Sequence, residues 1–229
     1  MSESEWLLEV RNLKKTFPAK NVTAVDGASF GIRPGETVGI VGASGCGKST
    51  LAKMAAHLLK ADEGDIYFEG ELISEKSGRS LSHFRRHVRI IFQEPFLSFN
   101  PVMKIGEAVA EPLWVQGMRE RRSIEKEVRE ALASVGLGER YRERRPHELS
   151  GGECQRAAIA RALVSRPALL ICDEVVSALD ALVRVDILNL FLRIQEERRL
   201  SMLFISHDLA VIRHMSDRVL AMKEGKIVS

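Results

Sequence analysis

The sequence is poor in cysteine, in net charge and in long apolar runs, and each shortage removes a class of protein. Cys46, Cys154 and Cys172 are its three cysteines. They are too few and too scattered for a disulfide frame or a zinc site, so reduced thiols in a cytosolic chain are the expectation. A formal net charge of +3 is too mild for a nucleic-acid coat, which shows a concentrated basic stripe; no nucleic-acid partner is expected. No apolar run approaches the roughly 18 residues of a membrane span. The acidic start, MSESEWLLEV, lacks the basic-then-apolar order of a secretion signal. Internal repeats and low-complexity linkers are missing too. What is left is an ordinary globular balance, 45% apolar and 28% charged over 229 residues, enough for one large domain or a core with a sub-domain.

The pattern along the chain is α/β. LLEVRNL, AVDGASFGI and ETVGIVG read as short strands, with a turn at Pro34-Gly35. Leu51, Met54, Ala55, Leu58 and Leu59 share one helical face. IYFEGELI reads as a hairpin about Glu69-Gly70, and VRIIFQ as a buried strand that ends on Gln93. From Glu94 to about Ser150 the texture is helical and charged; Ile124, Val128, Leu132 and Val135 fall at helical spacing and Gly136 marks a stop. Strand ALLIC, a helix about Val185 to Ile194, strand MLFIS and the hairpin RVLAMKEGKIV follow. Strand alternating with helix predicts a mainly parallel sheet carrying a helical insertion. The charge-dense run ERYRERRPHE, Glu139 to Glu148, reads as a solvated face.

The first chemical motif is GASGCGKS, Gly42 to Ser49, with strand TVGIV before it and a helical pattern after it. Gly42, Gly45 and Gly47 let the backbone amides of Gly42, Ala43, Ser44, Gly45, Cys46, Gly47, Lys48, Ser49 and Thr50 cradle anionic oxygens. The helix N-terminus adds partial positive charge. Lys48 is placed to reach the β- and γ-phosphates of ATP, and the Ser49 hydroxyl to ligate Mg2+. The second motif is ALLICDE: a buried strand from which Asp173 and Glu174 emerge. Asp173 is expected to hold magnesium, Glu174 to act on the water that attacks the γ-phosphate. Gln93 either binds magnesium or water or bonds to backbone, and His207, after strand MLFIS, either touches the γ-phosphate or is a satisfied edge histidine. Both gain weight because strand ends at Val41, Gln93, Asp173 and Ser206-His207 converge on one sheet edge, where α/β proteins bind ligands. Phe17 either stacks on an adenine or packs in the small sheet.

A second glycine-bearing helix start lies in LSGGECQRAAIARAL, Leu149 to Leu163. As a helix from about Gly151 to Ser165 it would be roughly 22 Å long, against about 16 Å for the strand after it, so its glycine end should overhang the sheet.

This stretch resembles the LSGGQ signature of ATP-binding-cassette ATPases. The phosphate loop, Gln93, LSGGE, ICDE, SALD (Ser177 to Asp180) and His207 stand in that family's order and approximate spacing over nearly the whole chain. The resemblance implies a P-loop NTPase (RecA-like) core with an N-terminal antiparallel β sub-domain. It implies a single cassette over residues 1–229, with residues 1–93 and 151–229 forming core and β sub-domain and residues 94–150 a helical sub-domain facing membrane partners. It implies a head-to-tail pair, in which Ser150, Gly151 and Gly152 meet the γ-phosphate of ATP held by the partner, Asp180 lies near the interface and Phe17 stacks on adenine. FQEPFLSFNP is similar to the corresponding run of peptide and nickel importer ATPases, as is VVSALDALVRVDILNL. An importer subunit on the cytoplasmic face of the membrane follows, working with a second cassette, permease subunits and, indirectly, a solute-binding protein. The alternatives are a cassette of a soluble non-transport complex and a nucleotide-binding regulatory cassette with impaired hydrolysis.

Three departures stand out. Glu153 replaces the usual glutamine, and a carboxylate there must turn outward or pair with a cation such as Arg156. Val175 replaces the usual proline, which predicts a less rigid loop after Glu174. The C-terminal extension usual in this branch does not follow KEGKIVS.

Overall fold

The computed structural model describes residues 5–73 and 78–228; most of the acidic start, MSES, and the last residue of KEGKIVS lie outside them. In chain order the elements are β1 (Leu8–Phe17), β2 (Val22–Ile32), β3 (Thr37–Val41), α1 (Lys48–Ala55), β4 (Glu63–Phe68), β5 (Glu71–Leu72), α2 (Arg79–His87) and β6 (Val88–Ile91). Then come α3 (Ile105–Val115), α4 (Arg121–Ser134), α5 (Gly151–Leu163), β7 (Leu169–Asp173), α6 (Ala181–Arg198), β8 (Ser201–Ser206), α7 (Leu209–Met215), β9 (Arg218–Lys223) and β10 (Lys226–Ile227). They pack as two compact units, one of Met1–Ile90, Ala168–Glu174 and Ile194–Ser229, the other of Ile91–Pro167 and Val175–Arg193.

The first unit carries two sheets. A small antiparallel sheet has the order β2-β1-β4-β5, and a larger one the order β10-β9-β3-β8-β7-β6. In the larger sheet β3 runs parallel to both β8 and β9, and β7 parallel to β8. Composition explains the difference. β7 and β8 are buried at every residue, as strands covered on both faces must be, whereas β1 mixes buried with half-exposed positions. Leu51, Ala52, Met54 and Ala55 of α1 join Leu169, Ile171, Leu203 and Ile205 in one buried cluster that includes Leu8, Val10 and Phe68 of the small sheet. Both predicted hairpins form. Glu69-Gly70 (φ 51° and 79°) and Glu224-Gly225 (φ 47° and 82°) place two successive residues in the left-handed region, as tight primed turns require.

In the second unit α3, α4 and α5 pack on one another. Ile105, Val109 and Leu113 of α3 and Ile124, Val128 and Leu132 of α4 are buried, each set at i, i+4 spacing. Helix α4 stops as read, with Val135 buried and Gly136 at φ 76°.

Several boundaries differ from the sequence reading. Helix α1 ends at Ala55, because His57 turns left-handed (φ 52°); Leu58, read as part of its apolar face, is 59% exposed. Helix α6 begins at Ala181 rather than near Val185, since the Asp180 carboxylate accepts from the Val183 amide at 3.0 Å and starts it early. Strand β6 ends at Ile91, so Gln93 lies two residues beyond it, exposed, in a bend.

Candidate nucleotide site

Parallel pairing fixes the chemistry of the first unit. Val41 sits opposite Ser206, and Asp173 opposite Ile205, so the ends of β3, β7 and β8 open on one edge. The loop after β3 turns into α1 without a side-chain cap, through Gly47 at φ 111°. A Cβ there would lie 2.0 Å from the Ala24 carbonyl oxygen, so both conformation and space demand glycine.

The loop's charged and polar groups are gathered. Lys48, 4% exposed, donates from Nζ to the carbonyls of Gly42 (2.8 Å) and Ala43 (2.9 Å) and lies 3.6 Å from Glu174 Oε1. The Ser49 hydroxyl donates to Asp173 Oδ1 at 2.9 Å. Glu174 Oε2 is 3.0 Å from His207 Nδ1, and since a carboxylate only accepts, Nδ1–H is the donor. Burial raises the pKa of Asp173, and the neighbouring Glu174 charge adds to this against the lowering effect of Ser49. Glu174 itself is left-handed (φ 51°), a conformation that costs a non-glycine residue energy and turns its side chain off the strand line.

Lys48, Ser49, Asp173, Glu174 and His207 therefore form one connected group in the first unit. Gly42 to Thr50 line its loop, and a Cβ on Gly42 would meet both the Met222 carbonyl oxygen (2.3 Å) and Cys46 Sγ (2.7 Å). Phe17 ends β1 half-buried, with the Lys15 ammonium 5.9 Å from its ring centre. It is outside the buried cluster of its unit.

Gln93, Ser150, Gly151, Gly152 and Asp180 belong to the second unit. There Ser150 caps α5. Its hydroxyl accepts from the Glu153 amide (3.3 Å), and Glu153 Oε2 accepts from the Ser150 amide (2.8 Å), a reciprocal capping box. The two glycines differ. A Cβ on Gly152 would lie 2.6 Å from Val183 Cγ1, whereas one on Gly151 would meet nothing nearer than Leu179 at 4.0 Å. Gly152 is needed for close packing, and Gly151 is not.

Glu153 does not pair with Arg156, which instead donates to the Val135 carbonyl at 2.8 Å; its partner is the Tyr141 hydroxyl at 2.6 Å. The arginine side chain is drawn to an uncapped carbonyl at the end of α4, and the carboxylate takes the phenol. Val175 and Val176 are 1% and 3% exposed, so apolar packing holds the segment where proline was expected. The sequence reading missed Tyr141 altogether. It also missed Arg161, whose Nη1 donates to the Ser98 carbonyl and whose guanidinium lies 4.4 Å from the Phe99 ring centre, tying α5 to the FLSF run.

The family described as ABC transporter matches residues 25–177. The oligopeptide transport ATP-binding protein AppF of Bacillus subtilis is 45% identical over 237 residues, covering 99% of this chain and 72% of its own. OppF of Escherichia coli, also an oligopeptide transport ATP-binding protein, is 43% identical over 97% of this chain and 70% of its own. The glutathione import ATP-binding protein GsiA of Pectobacterium atrosepticum is 42% identical over 99% of this chain and 38% of its own. Among solved structures, the dimeric ATP-binding cassette MJ0796 in its post-hydrolysis state with ADP and Pi superimposes with a TM-score of 0.85 at 29% identity, over 97% of both chains. The cassette cbiO1 from Clostridium perfringens, part of the transporter complex cbiONQ, superimposes with a TM-score of 0.86 at 29% identity, over 99% of this chain and 88% of its own. With a phosphate loop, an acidic strand end and a capped signature helix on this P-loop α/β fold, and with that family matched over most of its length, the chain belongs to the ABC transporter family, as an ATP-binding and ATP-hydrolysing cassette.

Proposed function

We propose that this cassette hydrolyses ATP to drive import of a peptide-class solute, as one of two cassettes on the cytoplasmic face of a permease. The observation that carries the reading is the connected group Lys48–Glu174–His207 beside Ser49–Asp173, on a chain 45% identical to an oligopeptide transport ATP-binding protein. Of the two solutes raised by the sequence, peptide and nickel, the named relatives favour peptide.

The roles follow from the geometry. The amides of Gly42 to Thr50 and the Lys48 ammonium hold the β- and γ-phosphates. Glu174 accepts a proton from the attacking water, and His207 orients that carboxylate through the 3.0 Å contact at Oε2. Phe17 offers the adenine its open face. The hard oxygen donors Ser49 and Asp173, 2.9 Å apart, suit Mg2+. An Asp173 carboxylate whose ionised form is disfavoured by burial would gain from a cation beside it. When bound, Mg2+ supplies neutralising charge to the phosphate oxygens. Ser150, Gly151 and Gly152 serve the partner's nucleotide, a reading in keeping with the dimeric cassette MJ0796, and Asp180 stands immediately before α6.

The permease is expected on the second unit. Phe96, Leu97, Val102, Trp114 and Val115 expose apolar surface there, Leu97 at 80%. A groove of about 530 Å³, lined among others by Lys104, Glu107, Trp114, Arg119 and Arg142, opens between α3 and α4. No helix among the described residues is long and apolar enough to cross a membrane, so a membrane attachment would run through such a partner. The test is recovery of the chain by affinity tag from membranes, followed by peptide uptake in vesicles rebuilt from the recovered complex. Peptide-stimulated ATP hydrolysis supports the reading; a complex without membrane subunits would transfer the chain to the soluble-complex alternative.

A further inference from the structure

An α-helix leaves its first amides without intrahelical acceptors. At the start of α5 four such amides occur, from Ser150 to Glu153. Two are satisfied internally: Ser150 by the Glu153 carboxylate and Glu153 by the Ser150 hydroxyl. The capping box thus reserves the amides of Gly151 and Gly152 for an outside acceptor. It also places a carboxylate in the first helical turn, where a phosphate would have to approach. That conflict is specific to a chain with glutamate at position 153.

The surroundings of Glu153 address it. Oε2 is used by the box, and Oε1 accepts from the Tyr141 hydroxyl at 2.6 Å. Tyr141 is only 7% exposed and sits in a 3₁₀ turn, Glu139–Tyr141. Its oxygen accepts from Arg140 Nη2 at 3.2 Å, which polarises the phenol and strengthens its donation. The guanidinium groups of Arg140 and Arg144 lie 5.1 and 5.0 Å from its ring centre. The Tyr141 and Ser150 bonds hold the Glu153 carboxyl below the usual range, with the nearby Arg144 charge contributing, so the group is ionised at neutral pH. The charge-dense run before the signature is therefore more than a solvated face: one of its residues reaches inward.

We propose that Tyr141 is a positioning residue for the signature turn. By donating to Glu153 Oε1 it keeps that carboxylate folded over Ser150 and leaves the Gly151 and Gly152 amides to a phosphate. Without the phenol oxygen, Oε1 loses the donor that orients it, in the same helical turn as those two amides. The carboxylate then competes with the γ-phosphate for the same hydrogen bonds. This inference rests on the reading that Ser150 to Gly152 meet the partner's nucleotide.

The test uses the complex recovered from membranes through a tag on this chain. ATPase rates against ATP concentration are measured for Tyr141→Phe, Glu153→Gln and the double variant, with thermal melting alongside. Phenylalanine keeps the ring, so packing survives. The expected result is a fall in kcat of about 5-fold for Tyr141→Phe when residue 153 is Glu, the scale of a typical net hydrogen bond. When residue 153 is Gln the same change should cost less than about 2-fold, the non-additivity of a directly coupled pair. An equal loss on both backgrounds, or none on either, overturns the role of Tyr141. Gly151→Asp, placed on a Glu174→Gln background, separates the two layers. It should prevent ATP-driven closure of the cassette pair. If closure survives Gly151→Asp, the signature reading fails and this inference with it; if closure is lost while Tyr141→Phe costs the same on both backgrounds, only the positioning role fails.

Discussion

The two glycine-bearing helix starts solve different problems. Helix α1 begins on Gly47 with no side-chain cap, so its first amides await an acceptor from outside, while in the loop before them the Cys46 amide donates to the Ala43 carbonyl at 3.3 Å. Helix α5 begins on Ser150 with a reciprocal box, which uses half of its orphan amides before any ligand arrives. The phosphate loop is open and cationic, with Lys48 buried behind it; the signature turn is capped and carries a carboxylate of its own. The difference teaches that a glycine pair at a helix start does not define one kind of anion site. What the neighbouring side chains leave unsatisfied does.

The largest expected effects test the open end. Glu174→Gln should lower kcat by about 100-fold or more while ATP binding is retained, since general-base action carries roughly that factor; single-turnover hydrolysis and nucleotide binding measured together check it. Parental turnover would show that another group activates the water. Gly47→Ala comes next. Its Cβ would strike the Ala24 carbonyl at 2.0 Å with φ at 111°, and a cost of about 2–3 kcal/mol should lower Tm by roughly 4–12 °C and remove ATP binding with it.

At the capped end the comparison sharpens within one dipeptide. Gly152→Ala meets Val183 at 2.6 Å and should destabilise the fold by about 1–3 kcal/mol. Gly151→Ala has room and should leave stability within about 0.5 kcal/mol of the parent, so any loss of ATPase it causes reports ligand approach rather than packing. Denaturant melts beside steady-state rates separate the two. The smallest effect concerns thiols. Cys154 and Cys172 are fully buried, and burial pushes the Cys154 thiol up to about 12 and Cys172 higher still. Only Cys46, half-exposed in the loop, should react with maleimide before unfolding, and ATP should slow that reaction.

How legible all this was depended on distance along the chain. The phosphate loop, the Asp173-Glu174 strand end and the two hairpins are local patterns, and each formed where its residues predicted. The meeting of Ser49 with Asp173, 124 positions apart, was legible only through the rule that parallel strands deliver their ends to one edge. The Tyr141–Glu153 bond was not legible, because the chain between them is irregular and carries no period that would set a phenol against a carboxylate. Arg156 looked the nearer cation for Glu153, yet an uncapped helix-end carbonyl claimed it. Helices α2 and α7 were passed over for another reason. Their short segments, Arg79–His87 and Leu209–Met215, hold too few turns for a period to emerge, and for α7 the Asp208 cap, accepting from the Ala210 amide at 2.9 Å, is the only local sign.

The central claim is that the open end of one molecule and the capped end of another make one site. Mixing two dead variants tests it most directly: Lys48→Ala keeps a sound signature, and Gly151→Asp keeps a sound phosphate loop. Each alone should be inactive. Mixed in equal amounts they should regain ATPase activity, up to about a quarter of the parental rate, because half the pairs would be mixed and each would hold one intact composite site of two. A mixture as inactive as its components, with mixed pairs shown to form, would contradict the account.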